Sequence, residues 1–160
     1  MATNAEKALE VLKKHFGQEE GVSEWLLIDQ DRINAFAKVT IDDQYIHTDP
    51  EKAAKSSPYK TTIAHGFLTL SMLTYLISSI PPVDPEGEKK IATRINYGFD
   101  KIRFVNPVKV NARIRARRKL ISAELKDPNS MQLRQELTVE IEGESKPALI
   151  VDWSRRIIYT

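Results

Sequence analysis

Asp42 and His47, five residues apart, and the run Thr61-Thr62-Ile63-Ala64-His65-Gly66 are the residues of this chain with most to offer a reaction. A carboxylate and an imidazole can hold one water between them, take a proton from it and deliver a proton elsewhere. Gly66 opens an uncharged apolar segment that reads as a helix. The first amide N–H groups of a helix lack an intrahelical partner and carry partial positive charge, so they stabilise an oxygen that gains negative charge. Glycine lets a substrate approach that backbone closely. Together these are the parts of a site for proton transfer beside a carbonyl. Each also has a plainer reading: Asp42 as the cap of a turn, His47 as a buried histidine donating to a backbone carbonyl, Gly66 as a packing glycine. Spacing alone does not choose between them.

Other chemistries find less support. The chain has no Cys, which excludes thiol catalysis, Cys-ligated zinc and disulfides. His15, His47 and His65 with the scattered acids form no HExxH-like ligand pattern, so no metal site is expected. Neither GxSxG nor GxGxxG occurs, which removes acyl-enzyme and dinucleotide motifs. A net charge of only +2 argues against nucleic acid as a partner. The densest basic run, Arg113 to Lys119, reads as a stripe paired with acids on a neighbouring strand: a turn centred between Pro128 and Asn129 puts Arg117 opposite Glu140 and Arg115 opposite Glu142.

The N-terminus lacks a basic n-region and an apolar h-region. The uncharged stretch 61–83 is interrupted by His65 and ends in Pro81-Pro82, and its apolar helix would span only about 20 Å, too short for a bilayer. The expectation is a soluble, cytoplasmic protein with no membrane partner, its 160 residues forming one domain, 1–160.

The elements that must position the reactive residues follow from periodicity. Ala5, Ala8, Leu9, Leu12 and Phe16 share a helical face behind the caps Thr3 and Asn4. Residues 22–28 read as a strand, and Asp29 or Asp31 caps a second helix with Ile33, Phe36 and Ala37 inward, ending near Thr40. Residues 42–58 read as a polar loop with a turn of helix at 51–54. Residues 66–79 form a helix apolar nearly all round, hence buried. Strands are predicted at 91–97, 101–104, 108–125, 131–142 and 148–159, with Leu133 to Ile141 alternating as a half-buried antiparallel strand does. One helix and one sheet bury each other best if the sheet wraps the helix, an α+β arrangement.

Three motifs in order resemble a known family: Asp42-Asp43-Gln44-Tyr45-Ile46-His47-Thr48-Asp49-Pro50, then Thr62 to Ser71 around His65-Gly66, then Asn96 to Phe104 followed by Pro107-Val108. They resemble the MaoC-like, R-specific enoyl-CoA hydratases, in particular the subgroup that contains nodulation protein N-like proteins. The resemblance spans residues 25–153 and implies a hot-dog fold, an antiparallel sheet around a long central helix, in chains that form homodimers through their sheets and in some members larger assemblies. It implies reversible syn addition of water to a trans-2-enoyl-CoA, giving the (R)-3-hydroxyacyl-CoA, with acyl-CoA as the substrate and no metal or redox cofactor. By position, Asp42 and His47 match the catalytic pair, their individual roles left open, and Gly66 matches the oxyanion hole. Ile63, His65, Asn96 and Tyr97 match the acyl-thioester pocket, and Thr74 matches a position where some members carry a hydroxyl. The chain departs from the pattern at Ile41, where the family has Gly, and at Gln44-Tyr45, where it has Asn-Pro. Asp43 adds a second carboxylate beside Asp42, which matters if both are buried. Dehydration of a 3-hydroxyacyl group on acyl carrier protein, or a non-catalytic acyl-thioester-binding module, are the alternatives.

Overall fold

Thr3 begins the first helix as the sequence predicts: its hydroxyl accepts from the Glu6 amide while the Glu6 carboxylate accepts from the Thr3 amide, a reciprocal capping box. The computed structural model describes residues 1–160. Helix α1 (Asn4–Leu12) buries Ala5, Ala8, Leu9 and Leu12. The expected strand at 22–28 is two short strands, β1 (Glu19–Val22) and β2 (Leu26–Ile28). Helix α2 (Gln30–Thr40) is capped by Asp29, whose carboxylate accepts from the Arg32 amide. The segment predicted as loop holds two short helices, α3 (Tyr45–Thr48) and α4 (Pro50–Ser56). Asp49 caps α4, with Pro50 in its first turn, where its missing N–H costs nothing.

The predicted central helix is segmented into α5 (Gly66–Ser71), α6 (Leu73–Leu76) and a 3-10 turn, Ile77–Ser79. Its hydroxyls explain the breaks. Ser71 donates to the Phe67 carbonyl (2.7 Å), Ser78 to Tyr75 (2.6 Å) and Ser79 to Leu76 (3.0 Å), and such bonds compete with the helical ladder and bend it. Pro81-Pro82 then ends it. A short helix, α7 (Pro85–Glu88), precedes four long strands: β3 (Ile91–Phe104), β4 (Ala112–Asp127), β5 (Ser130–Ile141) and β6 (Leu149–Tyr159).

All pairings are antiparallel, in the order β1-β4-β5-β6-β3, with β2 also on β4. The two segments expected at 91–97 and 101–104 are one strand, because bulges at Asn96/Gly98 and Phe99/Lys101 absorb the irregularity. Two bulges on β4, at Leu120/Ser122 and Leu125/Asp127, slide the β4–β5 register by two residues from the expected one. Arg115 therefore lies opposite Glu140 and Arg117 opposite Thr138, which corrects the predicted pairs. A two-residue slip keeps every side chain on its face. The stripe is still neutralised: Arg113 pairs with Glu142, Arg115 with Glu140 (2.7 Å), and Arg117 with Glu140 (2.9 Å) and Glu19 (2.8 Å).

These bulges curve the sheet around the central helix. Leu68, Leu73, Leu76 and Ile77 pack with Ile114, Leu137, Val139, Leu149 and Val151, while α1 covers a second cluster built on Leu120, Met131 and Ile157. The helix is not buried all round, as its composition suggested. Phe67 (65 % exposed) and Tyr75 (61 %) lie open, as do Ile95, Tyr97 and Phe104 on the edge strand β3. No helix is long and apolar enough to cross a membrane.

Replacing Thr3 by Ala removes one half of the capping box. Urea denaturation should show a loss of about 1 kcal/mol, the usual cost of an N-cap. A change within a few tenths would mean that α1 is held by its apolar face alone.

Candidate active site

Helix α2 ends at Ile41, whose φ of 61° and ψ of 23° are left-handed. This is where the resembled family has glycine, and a β-branched residue there strains the backbone by roughly 1–2 kcal/mol. The turn delivers Asp42, half-buried, at the start of the loop before α3, whereas Asp43 is exposed, so the two carboxylates are not buried side by side.

His47 sits in α3 and is 6 % exposed. Its Nδ1 lies 2.7 Å from the Ile63 carbonyl. A carbonyl only accepts, so Nδ1 carries the hydrogen and Nε2 keeps its lone pair in the neutral ring. Ile63 is itself fixed, its amide donating to the Ile46 carbonyl at 2.9 Å. Gln30 adds a second tie. Its amide nitrogen donates to the His47 carbonyl (2.7 Å), and its oxygen accepts from the Thr62 hydroxyl (2.6 Å).

His65 stacks on His47 with ring centroids 3.8 Å apart and an angle of 24° between planes. Its Nε2 donates to the Asp42 backbone carbonyl (2.9 Å), leaving Nδ1 buried with no partner. One side-chain atom each of Asp42, His47 and His65 falls within 4.8 Å of the others. This set could ligate a cation, which the spacing of these residues in the sequence did not foretell. Burial pushes the His47 imidazole below its ordinary value, and nearby His65 adds to that; the Ile63 carbonyl and Asp42 act the other way. His47 is therefore neutral near pH 7.

Gly66 follows directly. Its amide is the first in α5, no side chain caps that helix, and the amide donates to no acceptor in the protein. A Cβ at this position would meet the Phe104 ring at 2.8 Å. Gly66 is therefore a packing glycine whose N–H is also free. The strand expected from 108 begins only at Ala112, because Val108 and Lys109 instead pair with 63–64 and hold the segment leading to His65: Ala64 donates to the Val108 carbonyl at 2.7 Å.

The remaining candidates divide. Ile63 is buried and acts through its carbonyl on His47, not as an exposed pocket wall. Asn96 and Thr74 line a different cavity, of about 510 Å³, on the inner side of the sheet. Tyr97 is exposed beneath the Arg156 guanidinium, 5.5 Å from its ring centre. Sequence reasoning missed Gln30, whose partners lie 17 and 32 residues away with no local signal.

Comparison with known proteins places these features. Residues 11–141 match the family model described as a MaoC like domain. The chain is 42 % identical over 149 residues to nodulation protein N of Rhizobium leguminosarum bv. viciae, covering 92 % of this chain and 89 % of that one. It is 42 % identical over 136 residues to 3-hydroxyacyl-thioester dehydratase Z of Mycobacterium tuberculosis, covering 85 % and 86 %. Among solved structures, a monoamine oxidase regulatory protein from Archaeoglobus superposes with a TM-score of 0.71 at 25 % identity, covering 91 % of both chains. The R-hydratase PhaJ1 from Pseudomonas aeruginosa superposes with a TM-score of 0.67 at 22 % identity, covering 93 % of this chain and 84 % of that one. The fold is the hot-dog fold, of the α+β class. The chain belongs to the MaoC-like dehydratase family.

Ile41→Gly should relieve the left-handed strain. Net of the flexibility that glycine adds to the unfolded chain, we expect a gain of about 1 kcal/mol by urea denaturation. A loss would show that the Ile41 side chain compensates its own strain.

Proposed function

We propose that this chain hydrates trans-2-enoyl-CoA reversibly to the (R)-3-hydroxyacyl-CoA. The observation that carries this is the clustering of Asp42 and His65 with His47, whose Nε2 is left unprotonated, and the free Gly66 amide next in the chain to His65. The relative named as a 3-hydroxyacyl-thioester dehydratase and the R-hydratase sharing the fold support the same class of reaction.

A water placed between Asp42 and His47 donates one hydrogen to each. As its oxygen bonds to C3, Nε2 takes the proton, and the Asp42 carboxylate favours the imidazolium that forms. Electron density moves to the thioester oxygen, which the Gly66 N–H meets. Loss of one such donor typically costs about 10²–10³ in rate. The imidazolium then returns the proton to C2 on the same face, so the elements of one water add syn and His47 ends neutral. No step calls for a metal or a redox cofactor. A homodimer fits the reading: the edge strand β3 has a free side, and Ile95, Tyr97, Phe104, Phe67 and Tyr75 are apolar surface that a second copy would cover.

Hydration of crotonyl-CoA, followed as loss of enoyl-thioester absorbance, tests the proposal. Asp42→Asn and His47→Gln should each lower kcat/KM by about 10²–10⁴ with the circular dichroism unchanged. Activity should survive dialysis against EDTA. Full activity in both variants, or loss on chelation that zinc restores, would overturn the scheme.

The pH profile carries a further expectation. His47 works only when neutral, and its value lies below the ordinary 6.5. More than half of the maximal activity should therefore remain at pH 6.5, with the fall coming as the pH drops through the lowered value. An acid limb of kcat/KM centred at or above 6.5 would contradict the assignment of His47 as base.

A further inference from the structure

The inner faces of β4, β5 and β6 are apolar except at three positions. Arg118 follows Ile114 and Ala116, Gln135 lies between Leu133 and Leu137, and Arg155 lies between Trp153 and Ile157, all on the buried alternation of their strands. The strand register sets them close together, with Arg118 opposite Leu137, Gln135 opposite Trp153 and Arg155 opposite Leu133. All three line the 510 Å³ cavity, together with Arg94, Glu20 and Glu88. Arg118 and Arg155 are each only 7 % exposed.

A buried charge without an opposite partner is costly, so the pairing of each cation matters. Arg94 pairs with Glu88. The Arg118 Nε lies 2.9 Å from Glu20, an ion pair whose angle falls short of a hydrogen bond. Arg155 differs from both. One of its terminal nitrogens donates to the neutral Gln135 amide oxygen, its Nε has no partner, and its guanidinium lies over the Trp153 ring at 4.8 Å. No carboxylate lies within ion-pair distance of it; Glu20 and Glu88 attract it only from farther off, and Glu20 also accepts from Gln135. Burial with Arg118 and Arg94 nearby pushes the Arg155 guanidinium down to about 10, which still leaves it charged at neutral pH.

The rest of the cavity wall is mixed: Thr74, Ser78, Asp84 and Asn96 are polar, and the remainder is largely apolar. Ile77, Ile80, Val83 and Leu133 line it, and Thr74 is the lining residue that follows Gly66 most closely along the central helix. Thr74 is eight residues from Gly66, roughly 12 Å at the helical rise. An extended chain held at Gly66 by its thioester would reach this wall with its far end.

We propose that the cavity seats the distal end of an acyl chain that terminates in a carboxylate, gripped by Arg155 through its planar fork of donors. A guanidinium binds a carboxylate through two parallel N–H bonds, which a plain methyl terminus cannot use. A plain chain would leave the Arg155 Nε unpaired. This inference rests on the thioester reading of the active site and specifies the substrate class: medium-length ω-carboxyacyl-CoA.

Calorimetry on the intact protein tests it with saturated probes that cannot turn over. Decanoyl-CoA is compared with the mono-CoA thioester of decanedioic acid, and free decanedioate is the control for a carboxylate arriving without CoA. We expect the carboxylated thioester to bind roughly ten- to hundredfold more tightly than decanoyl-CoA. Arg155→Met should abolish that ratio, and Arg155→Lys should retain part of it. The wild-type ratio decides the matter even if a variant fails to fold. Equal or tighter binding of decanoyl-CoA overturns the proposal. So does free decanedioate binding as tightly as its thioester, which would make the cavity a separate carboxylate site. Absence of crotonyl-CoA hydration alongside an intact preference would remove the hydratase reading and leave the cavity assignment. Hydration without the preference would do the reverse.

Discussion

The hydrogen bond from His47 Nδ1 to the Ile63 carbonyl, 2.7 Å long and buried, is the contact on which the site depends. It determines which nitrogen carries the proton and which keeps its lone pair. It also joins two segments sixteen residues apart, the helix that bears His47 and the chain leading to His65 and Gly66. Ile63 holds this position through its own bond to Ile46 and through the pairing of its neighbour with Val108. The stack of His65 on His47, and the bond from His65 to the Asp42 carbonyl, close the ring of contacts. Backbone carbonyls thus orient both imidazoles.

Much of this was legible in the chain itself. The caps at Thr3 and Asp29, the turn at 127–130 and the alternation of Leu133 to Ile141 rest on local rules, and the structure follows them. Asp42, His47 and Gly66 stood out by type and by order. What could not be read was set by non-local geometry. The bulges in β4 that move Arg115 from Glu142 to Glu140 leave no mark in a strand of alternating residues. The hydroxyls that segment the central helix were visible, but an apolar run outweighed them. The convergence of His65 with Asp42 and His47 is a product of tertiary structure, which is why motif spacing suggested no cation-like cluster.

The inner face of the sheet offers a different lesson. Arg118, Gln135 and Arg155 each occupy a position that the two-residue period assigns to the core. A polar residue at such a position in one strand is an irregularity, whereas three brought together by register mark a built feature. Arg118 belongs to the same basic run as Arg113, Arg115 and Arg117 but falls on the buried face of the strand. The outer arginines are neutralised by Glu19, Glu140 and Glu142 and stabilise the sheet by no more than surface ion pairs do. The inner ones shape a cavity.

One helix links the two proposed features: its N-terminus, with the free Gly66 amide, follows His65 of the Asp42–His47–His65 cluster, and its C-terminal half lines the cavity. The most direct measurement of the account is the nitrogen-15 spectrum of the His47 ring in the free protein at pH 7. The account predicts a neutral ring with its hydrogen on Nδ1 and a lone pair on Nε2. A ring protonated on Nε2, whether as the other tautomer or as imidazolium, would contradict it.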